Sequence, residues 1–256
     1  MRQADELRDA VEAYLGSLSF APELGRLEDV VRYSLESGGK RVRPVVCLAV
    51  AEANGASVDE ALPAAAALEL VHTFSLVHDD LPAMDDDDER RGRPSAHVAY
   101  GEGVALLAGD ALLAEAFRLA LSYARPDIAR GLVEATLGMI SGQYRDITGD
   151  DAELEELHRL KTGRLFVAAV RIGLEVAGVP DATRAPWLAF GENLGLLFQV
   201  VDDLIDGDGY AERLGNDGAR RVADDAAERA TNGLAALDCD TAVLRELVAT
   251  LTFRTG

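Results

Sequence analysis

Lysine is nearly absent from this chain of 256 residues: Lys40 and Lys161 are the only two. Cysteine is as scarce. Cys47 and Cys239 stand outside any metal-binding or redox spacing, so neither a thiolate zinc site nor a redox motif is expected, and a disulfide is not expected. No run of eighteen apolar residues occurs, so no transmembrane helix is expected. The opening MRQADELRDAVEAYL is charged and amphipathic, unlike a secretory leader, and a cytoplasmic location is expected. Basic excess is lacking. With a net charge of −20, nothing basic is large enough to neutralise a phosphate backbone, so no nucleic-acid partner is expected. Linkers rich in Gly, Ser or Pro, internal repeats and strand-like alternation of β-branched residues are missing too.

What is present is a balance of 48% hydrophobic and 27% charged residues, the composition of a globular protein. The length predicts a single domain over 1–256. Acidic excess with few lysines suits a protein kept soluble in high salt, and a halophilic source is the reading. A GC-rich genome would shift composition the same way. Either way, the positions of the two remaining lysines need an explanation.

Apolar periodicity is helical throughout. Leu7, Val11, Tyr14, Leu15 and Leu18 mark one helix face, and Leu27, Val30, Val31 and Leu35 mark a second, ended by Gly38-Gly39. Further apolar stretches cover 44–54, 60–78, 97–123, 127–147, 152–177 and 184–206, separated by Gly55, Gly92-Arg93-Pro94, Pro126, Gly149 and Pro180. The expected fold is all-α: one bundle of long helices around a deep central cavity lined from facing helices.

Two aspartate clusters stand out. Asp79-Asp80-Leu-Pro-Ala-Met-Asp85 runs on to Asp88, and Asp202-Asp203-Leu-Ile-Asp206 lies far downstream. Each follows an apolar segment, Leu68 to Val77 and Leu194 to Val201. Carboxylates at the end of a buried helix are costly to desolvate unless something positive compensates them. Asp202 and Asp206 are i,i+4 and Asp203 and Asp206 are i,i+3, so all share one helix face and repel until a cation relieves them. Asp79 and Asp85 would sit about 240° apart on a regular helix. Pro82 should break that helix and allow both to reach one mouth. Two such clusters facing one cavity suit a hard divalent cation, Mg²⁺, shared with a phosphorylated substrate.

Cations accompany the acids. Gly38-Gly39-Lys40-Arg41-Val42-Arg43-Pro44 combines flexible backbone with three charges, Arg90-Arg91-Gly92 follows the first acidic run, and Lys161-Thr162-Gly163 offers an ammonium beside a hydroxyl. Arginine forks and mobile lysines are the groups that recognise phosphate. His72 and His78 flank the start of the first cluster, either as core histidines or as site residues.

The order of these segments, with Gly142-Gln143 and Phe198-Gln199 between and before the later ones, resembles the trans-isoprenyl diphosphate synthases of the polyprenyl synthetase family, in the short-chain branch that makes farnesyl or geranylgeranyl diphosphate. The resemblance covers roughly residues 5–210 and implies an isoprenoid-synthase fold. It also implies a prenyltransferase that condenses isopentenyl diphosphate head to tail with an allylic diphosphate (dimethylallyl, geranyl or farnesyl), giving a C15–C20 product. By resemblance, Mg²⁺ is held by Asp79, Asp85, Asp202 and Asp206 with Asp80 and Asp203 in support. Lys40, Arg43, His72 and Arg91 resemble the isopentenyl diphosphate site. Arg90, Lys161, Thr162 and Gln199 resemble the groups that hold the allylic diphosphate or the forming cation. Phe74, five residues before Asp79, and the extra Pro82-Ala83 resemble the farnesyl type, while plain core packing is the other reading of Phe74. A homodimer is implied as well.

The C-terminal end departs from the pattern. Where the family carries lysines after the second motif, this chain has Leu214-Gly215-Asn216 and then Arg220-Arg221, in a shortened segment. That departure motivates an alternative, a non-catalytic partner subunit of a related synthase. A class I terpene cyclase shares the aspartate logic, but it has no use for Lys40, Arg43 and Arg91.

Overall fold

Helix ends explain most of the architecture. The computed structural model describes residues 2–36, 38–149 and 154–253. In chain order its helices are α1 (Ala4–Ser17), α2 (Leu27–Leu35), α3 (Val42–Ala53), α4 (Val58–Asp79), α5 (Ala96–Tyr100), α6 (Glu102–Ala120), α7 (Pro126–Thr148), α8 (Leu154–His158), α9 (Arg164–Val176), α10 (Ala185–Asp206), α11 (Gly209–Ala235) and α12 (Ala242–Thr252). α4 opens on a capping box: Glu60 N–H donates to Ser57 Oγ at 3.2 Å, and Ser57 N–H donates to Glu60 Oε2 at 2.9 Å. α7 opens with Pro126 in its first turn, where the missing N–H costs nothing. Left-handed Gly149 and Gly207 terminate α7 and α10.

Three departures from the periodicity have local causes. The stretch 97–123 is split by Gly101 at φ +87° into α5 and α6. The stretch 152–177 is interrupted by a five-residue π-helical turn, Arg159–Gly163, between α8 and α9, and residues 152–153 lie outside the described ones. A hairpin of two-residue strands, β1 (Glu89–Arg90) and β2 (Arg93–Pro94), turns on Arg91 and Gly92 at φ +55° and +77°. Strands this short leave no alternation to read. α11 and α12 extend the bundle past the last anticipated stretch, with α11 kinked at Gly215 (φ 69°, ψ 161°).

One cluster of buried side chains runs from Leu7 to Leu251. α4 is its hub, packing against α1, α2, α3, α6, α7 and α9. Burial on all sides explains why α4 is apolar all round rather than on one stripe. Among the described residues it is the one helix long and apolar enough to cross a membrane, and 67% of that window is buried inside the protein. α10 packs against α9 and α11, so the two aspartate-bearing helix ends emerge from the core. Cys47 is buried and Cys239 half-buried, and both are free thiols.

One surface is apolar without cover. Val133, Leu137, Ile140, Tyr144 and Ile147 on α7 are 40–65% exposed at alternating four- and three-residue spacing, accompanied by exposed Leu106 and Leu107 on α6. That spacing is the seam of a helix that packs on another helix.

Candidate active site

α4 and α10 each end in aspartates, and a cavity of about 390 Å³ lies between them. Its wall holds Arg43, His72, Asp79, Arg90, Arg91, Lys161, Thr162 and Asp202. Four of these are permanent cations, concentrated in a chain of net charge −20. Ser75, Leu76, Glu89, Met139, Leu165 and Phe198 complete the lining. Lys40, Phe74, Asp80, Asp85, Gln199, Asp203 and Asp206 do not line it; Phe74 lies on α4 and Gln199, Asp203 and Asp206 on α10, the helices that border it.

The first motif turns as Pro82 demands. α4 stops at Asp79, and Asp85 N–H donates back to the Asp79 carbonyl at 2.9 Å, bringing the two acids together around the turn. Asp79 and Asp202 are both pushed up to about 6. For Asp79 burial dominates, then Asp85 and Asp80, against Lys161 and Arg90. For Asp202 burial is again first, then Asp206, against Arg43. Burial and like charge both disfavour the carboxylate, so each site stores a demand for positive charge.

The second aspartate of each motif is a structural knot. Asp80 is 3% exposed and its Oδ1 accepts from Arg90 Nε at 2.8 Å and also from the terminal nitrogen, while Arg90 reaches Asp87 at 2.9 Å. Asp203, equally buried, accepts from Gln199 Nε2 at 2.7 Å and from Tyr210 N–H at 2.8 Å. Gln199 in turn accepts from the Thr162 hydroxyl at 2.6 Å. Gly209, at φ +47°, wraps this carboxylate so closely that a Cβ there would lie 2.3 Å from Asp203 Oδ2.

The cations are held in comparable ways. Lys161 Nζ donates to Asp146 Oδ2 at 2.6 Å. Arg91 donates to the Gly38 carbonyl across the positive-φ Gly38-Gly39 loop, and a Cβ on Gly39 would strike the guanidinium. Lys40 is exposed. Arg41, left-handed at φ +48°, is spent on structure: it pairs with Glu12 at 2.8 Å and Glu69 at 2.6 Å and caps the Leu35 carbonyl. Arg43 lies over Phe166 at 4.6 Å and Phe198 at 5.5 Å. Burial lowers its pKa to about 10, opposed by Glu69 and Asp202, so it stays charged at neutral pH, and its Nε is buried without a partner. Burial, then Arg43 and Arg91, push His72 well below the usual imidazole range. His78 instead serves packing: Nε2 lies 3.0 Å from the Leu106 carbonyl, and the ring meets Phe74 edge-on. Phe74 is buried in that contact.

Sequence reasoning did not assign roles to Gly142, Gln143, Asp146, His158 or Gly195. The π-helical turn carrying Lys161 and Thr162 is clamped by two glycines. A Cβ on Gly142 would lie 2.6 Å from Lys161 N, and one on Gly195 3.0 Å from Gly163 Cα. Gln143 has both amide atoms buried without a partner. The spacing Gly-Gln-x-x-Asp was the available signal, but only the fold reveals that it faces the lysine turn. Arg220 and Arg221 are exposed on α11 and do not line the cavity.

Divalent metal fits this donor set. No three His, Cys, Asp or Glu side chains among the described residues form a ready cage. Mg²⁺ keeps several waters and takes one or two carboxylates plus substrate phosphates, so an aspartate pair on each helix end, with Asp79 and Asp202 raised by burial, suits it better than a cage would. Asp79 and Asp85 on one helix end, and Asp202 and Asp206 on the other, are the residues that would hold it.

A sequence model of polyprenyl synthetases matches residues 25–242. A geranylgeranyl diphosphate synthase of Cyanophora paradoxa is 44% identical over 202 residues, covering 73% of this chain and 67% of that protein. A farnesyl diphosphate synthase of Bacillus subtilis (strain 168) is 39% identical over 214 residues, covering 78% and 71%. The crystal structure of a geranyltransferase from Legionella pneumophila superposes with a TM-score of 0.88 at 31% identity, covering 98% of this chain and 96% of that one.

Proposed function

The chain belongs to the polyprenyl synthetase family, and we propose that it is a prenyltransferase joining isopentenyl diphosphate head to tail to an allylic diphosphate, with a C15–C20 product. The observation that carries the reading is the pairing, on one cavity, of Asp79 and Asp202 at pKa values near 6 with the cations Arg43, Arg90, Arg91 and Lys161. A diphosphate together with a divalent cation would supply the charge that each set calls for.

In this reading Arg90 and Lys161 exchange Asp80 and Asp146 for diphosphate oxygens of the allylic substrate. Arg43, through its free Nε, grips isopentenyl diphosphate with Arg91, Lys40 and His72. Asp79, Asp85, Asp202 and Asp206 would hold Mg²⁺, which would supply Lewis-acid stabilisation of the leaving diphosphate. Thr162 and Gln199 present oxygen dipoles near the carbon that becomes cationic. Leu76, Met139, Leu165 and Phe198 keep water from that carbon, since hydration would quench it. The isopentenyl double bond then attacks, and the released diphosphate takes the proton. The protein supplies mainly position and charge balance.

The finer parts of the proposal rest on separate observations. The apolar seam on α7 supports a homodimer built on that face. The net charge of −20 and two lysines support a high-salt setting. A second reading, the partner subunit, is favoured by the lack of lysine between Asp206 and Gly256 and by a cavity lining that does not include Arg220 or Arg221. Product analysis by mass spectrometry separates the two. The protein, with Mg²⁺, isopentenyl diphosphate and each allylic primer at low and molar KCl, yields a C15 or C20 diphosphate if catalytic. Folded protein that binds Mg²⁺ and diphosphate but makes no product is the partner subunit.

A further inference from the structure

His158 closes α8 immediately before the π-helical turn that carries Lys161 and Thr162. Its ring rests against Tyr210, with centroids 5.4 Å apart. Its Nδ1 is buried and has no hydrogen-bond partner. Buried polar atoms are almost always satisfied, and an exception asks for a reason. Asp203 Oδ2 lies 3.7 Å away. That is beyond hydrogen-bond reach by somewhat under 1 Å.

Asp203 is where three parts of the site meet. One oxygen takes the Gln199 amide, which is tied to Thr162 on the lysine turn, and the other takes the Tyr210 N–H in the first turn of α11. The Asp203 carbonyl also accepts from Gly207 and Asp208 N–H, at 2.8 and 3.2 Å. A carboxylate has about four acceptor positions, so Oδ2 has room for one more donor on the His158 side.

We propose that His158 is a positioning residue whose Nδ1–H closes onto Asp203 Oδ2 when diphosphate fills the cleft, locking the Lys161–Thr162 turn to the start of α11. This rests on the prenyltransferase reading of the cleft. When diphosphate draws Lys161 from Asp146, the turn moves, and His158 sits at its N-terminal end. A small rotation closes the gap and gives the orphan nitrogen its partner. His158 does not line the cavity between the two aspartate motifs, and its effect runs through Asp203 and Tyr210.

The test needs no substitution at first. Amide hydrogen exchange is followed at Tyr210 and across Gly207–Leu214, with and without inorganic diphosphate plus Mg²⁺, and turnover is measured in parallel. Slowing of exchange by tenfold or more at Tyr210 on adding diphosphate is expected, and turnover without any such slowing overturns the proposal. His158→Phe keeps the ring against Tyr210 and removes the donor. It is expected to lose the protection and to lower kcat at least tenfold with KM for the allylic substrate within twofold. His158→Asn, which retains a donor near Nδ1, is expected to restore most of both. His158→Phe matching the unmodified protein in both readouts overturns the assignment. If the unmodified protein neither turns over nor binds diphosphate, the prenyltransferase reading falls first and takes this one with it.

Discussion

Asp79→Asn should stabilise the metal-free protein while abolishing turnover. The Asp79 carboxyl sits at about 6 in the fold against an ordinary 3.8, chiefly through burial. The unfolded chain therefore releases its proton first as pH rises. Between roughly pH 4 and pH 6 the native state binds more protons than the unfolded state, so stability falls with rising pH across that window and stays low above it. A rise from 3.8 to about 6 corresponds to about 3 kcal/mol, and solvent screening of a half-buried group reduces the useful figure to about 2 kcal/mol. For a chain of this length that is about 4–8 °C in Tm. The assay is thermal and urea unfolding of both proteins at pH 5 and pH 7.5, with EDTA and then with Mg²⁺ plus diphosphate. Asn should exceed the wild type at pH 7.5 in EDTA, the gap should shrink to about half at pH 5, and only the wild type should gain from Mg²⁺ and diphosphate. An Asn variant less stable than wild type at pH 7.5, or a wild type whose stability does not rise on acidification from pH 7.5 to 5, refutes the argument that this aspartate is held at a cost for metal. Asp202, raised for the same first cause, should behave in the same way.

Other perturbations probe separate parts of the site. Gly142→Ala places a methyl 2.6 Å from Lys161 N and must displace the π-helical turn. It should cost about 1–3 kcal/mol of stability and lower kcat more than tenfold with little change in circular dichroism, and normal kinetics would show that the clamp is slack. Arg43→Met keeps the contact with Phe166 and Phe198 but removes the charge. KM for isopentenyl diphosphate should rise at least tenfold with a smaller effect on the allylic substrate, whereas an equal effect on both would move Arg43 out of the isopentenyl site. Leu137→Glu with Ile140→Glu charges the exposed seam of α7, and light scattering should then report half the mass of the parent. A parent that is already monomeric removes the dimer face. Phe74→Ala should lengthen the product by one or more five-carbon units on mass spectrometry, and an unchanged product returns Phe74 to packing against His78.

Most helices and several breakers were legible because each rests on local chemistry: Gly55, Gly92 and Gly149 at positive φ, and Pro126 in a first turn. The convergence of Asp79, Asp202, Arg90, Arg91, Lys161 and Arg43 on one cavity also follows from motif order and helix ends. What spacing did not reveal depends on packing between distant segments. Equal-looking aspartates divide into knots such as Asp80 and Asp203 and cavity-facing groups such as Asp79 and Asp202, according to which neighbour reaches them. Arg41 and Arg43 are two residues apart, yet one is consumed by Glu12 and Glu69 and the other keeps a free nitrogen. The π-helical turn has no signature in RLKTG itself, because its irregularity is imposed by the close approach of Gly142 and Gly195. The C-terminal helices were not anticipated because Ala-rich amphipathic sequence with charges on most turns marks helix weakly.

α4 is the hub of the bundle, and its burial on every side has a price during biosynthesis. It has no polar face to show to water, so it cannot rest at the surface of a partly made chain. Its partner α9 ends at Val176, about a hundred residues after α4 ends at Asp79. At ribosomal speeds of about 5–20 residues per second, that interval lasts about 5–20 s. Throughout it, the face of this 22-residue apolar helix that α9 covers stays bare, while α1, α2 and α3 are already made to back its other sides. The nascent chain therefore presents a chaperone-binding segment of membrane-like hydropathy before the aspartates that follow it have any cavity to face.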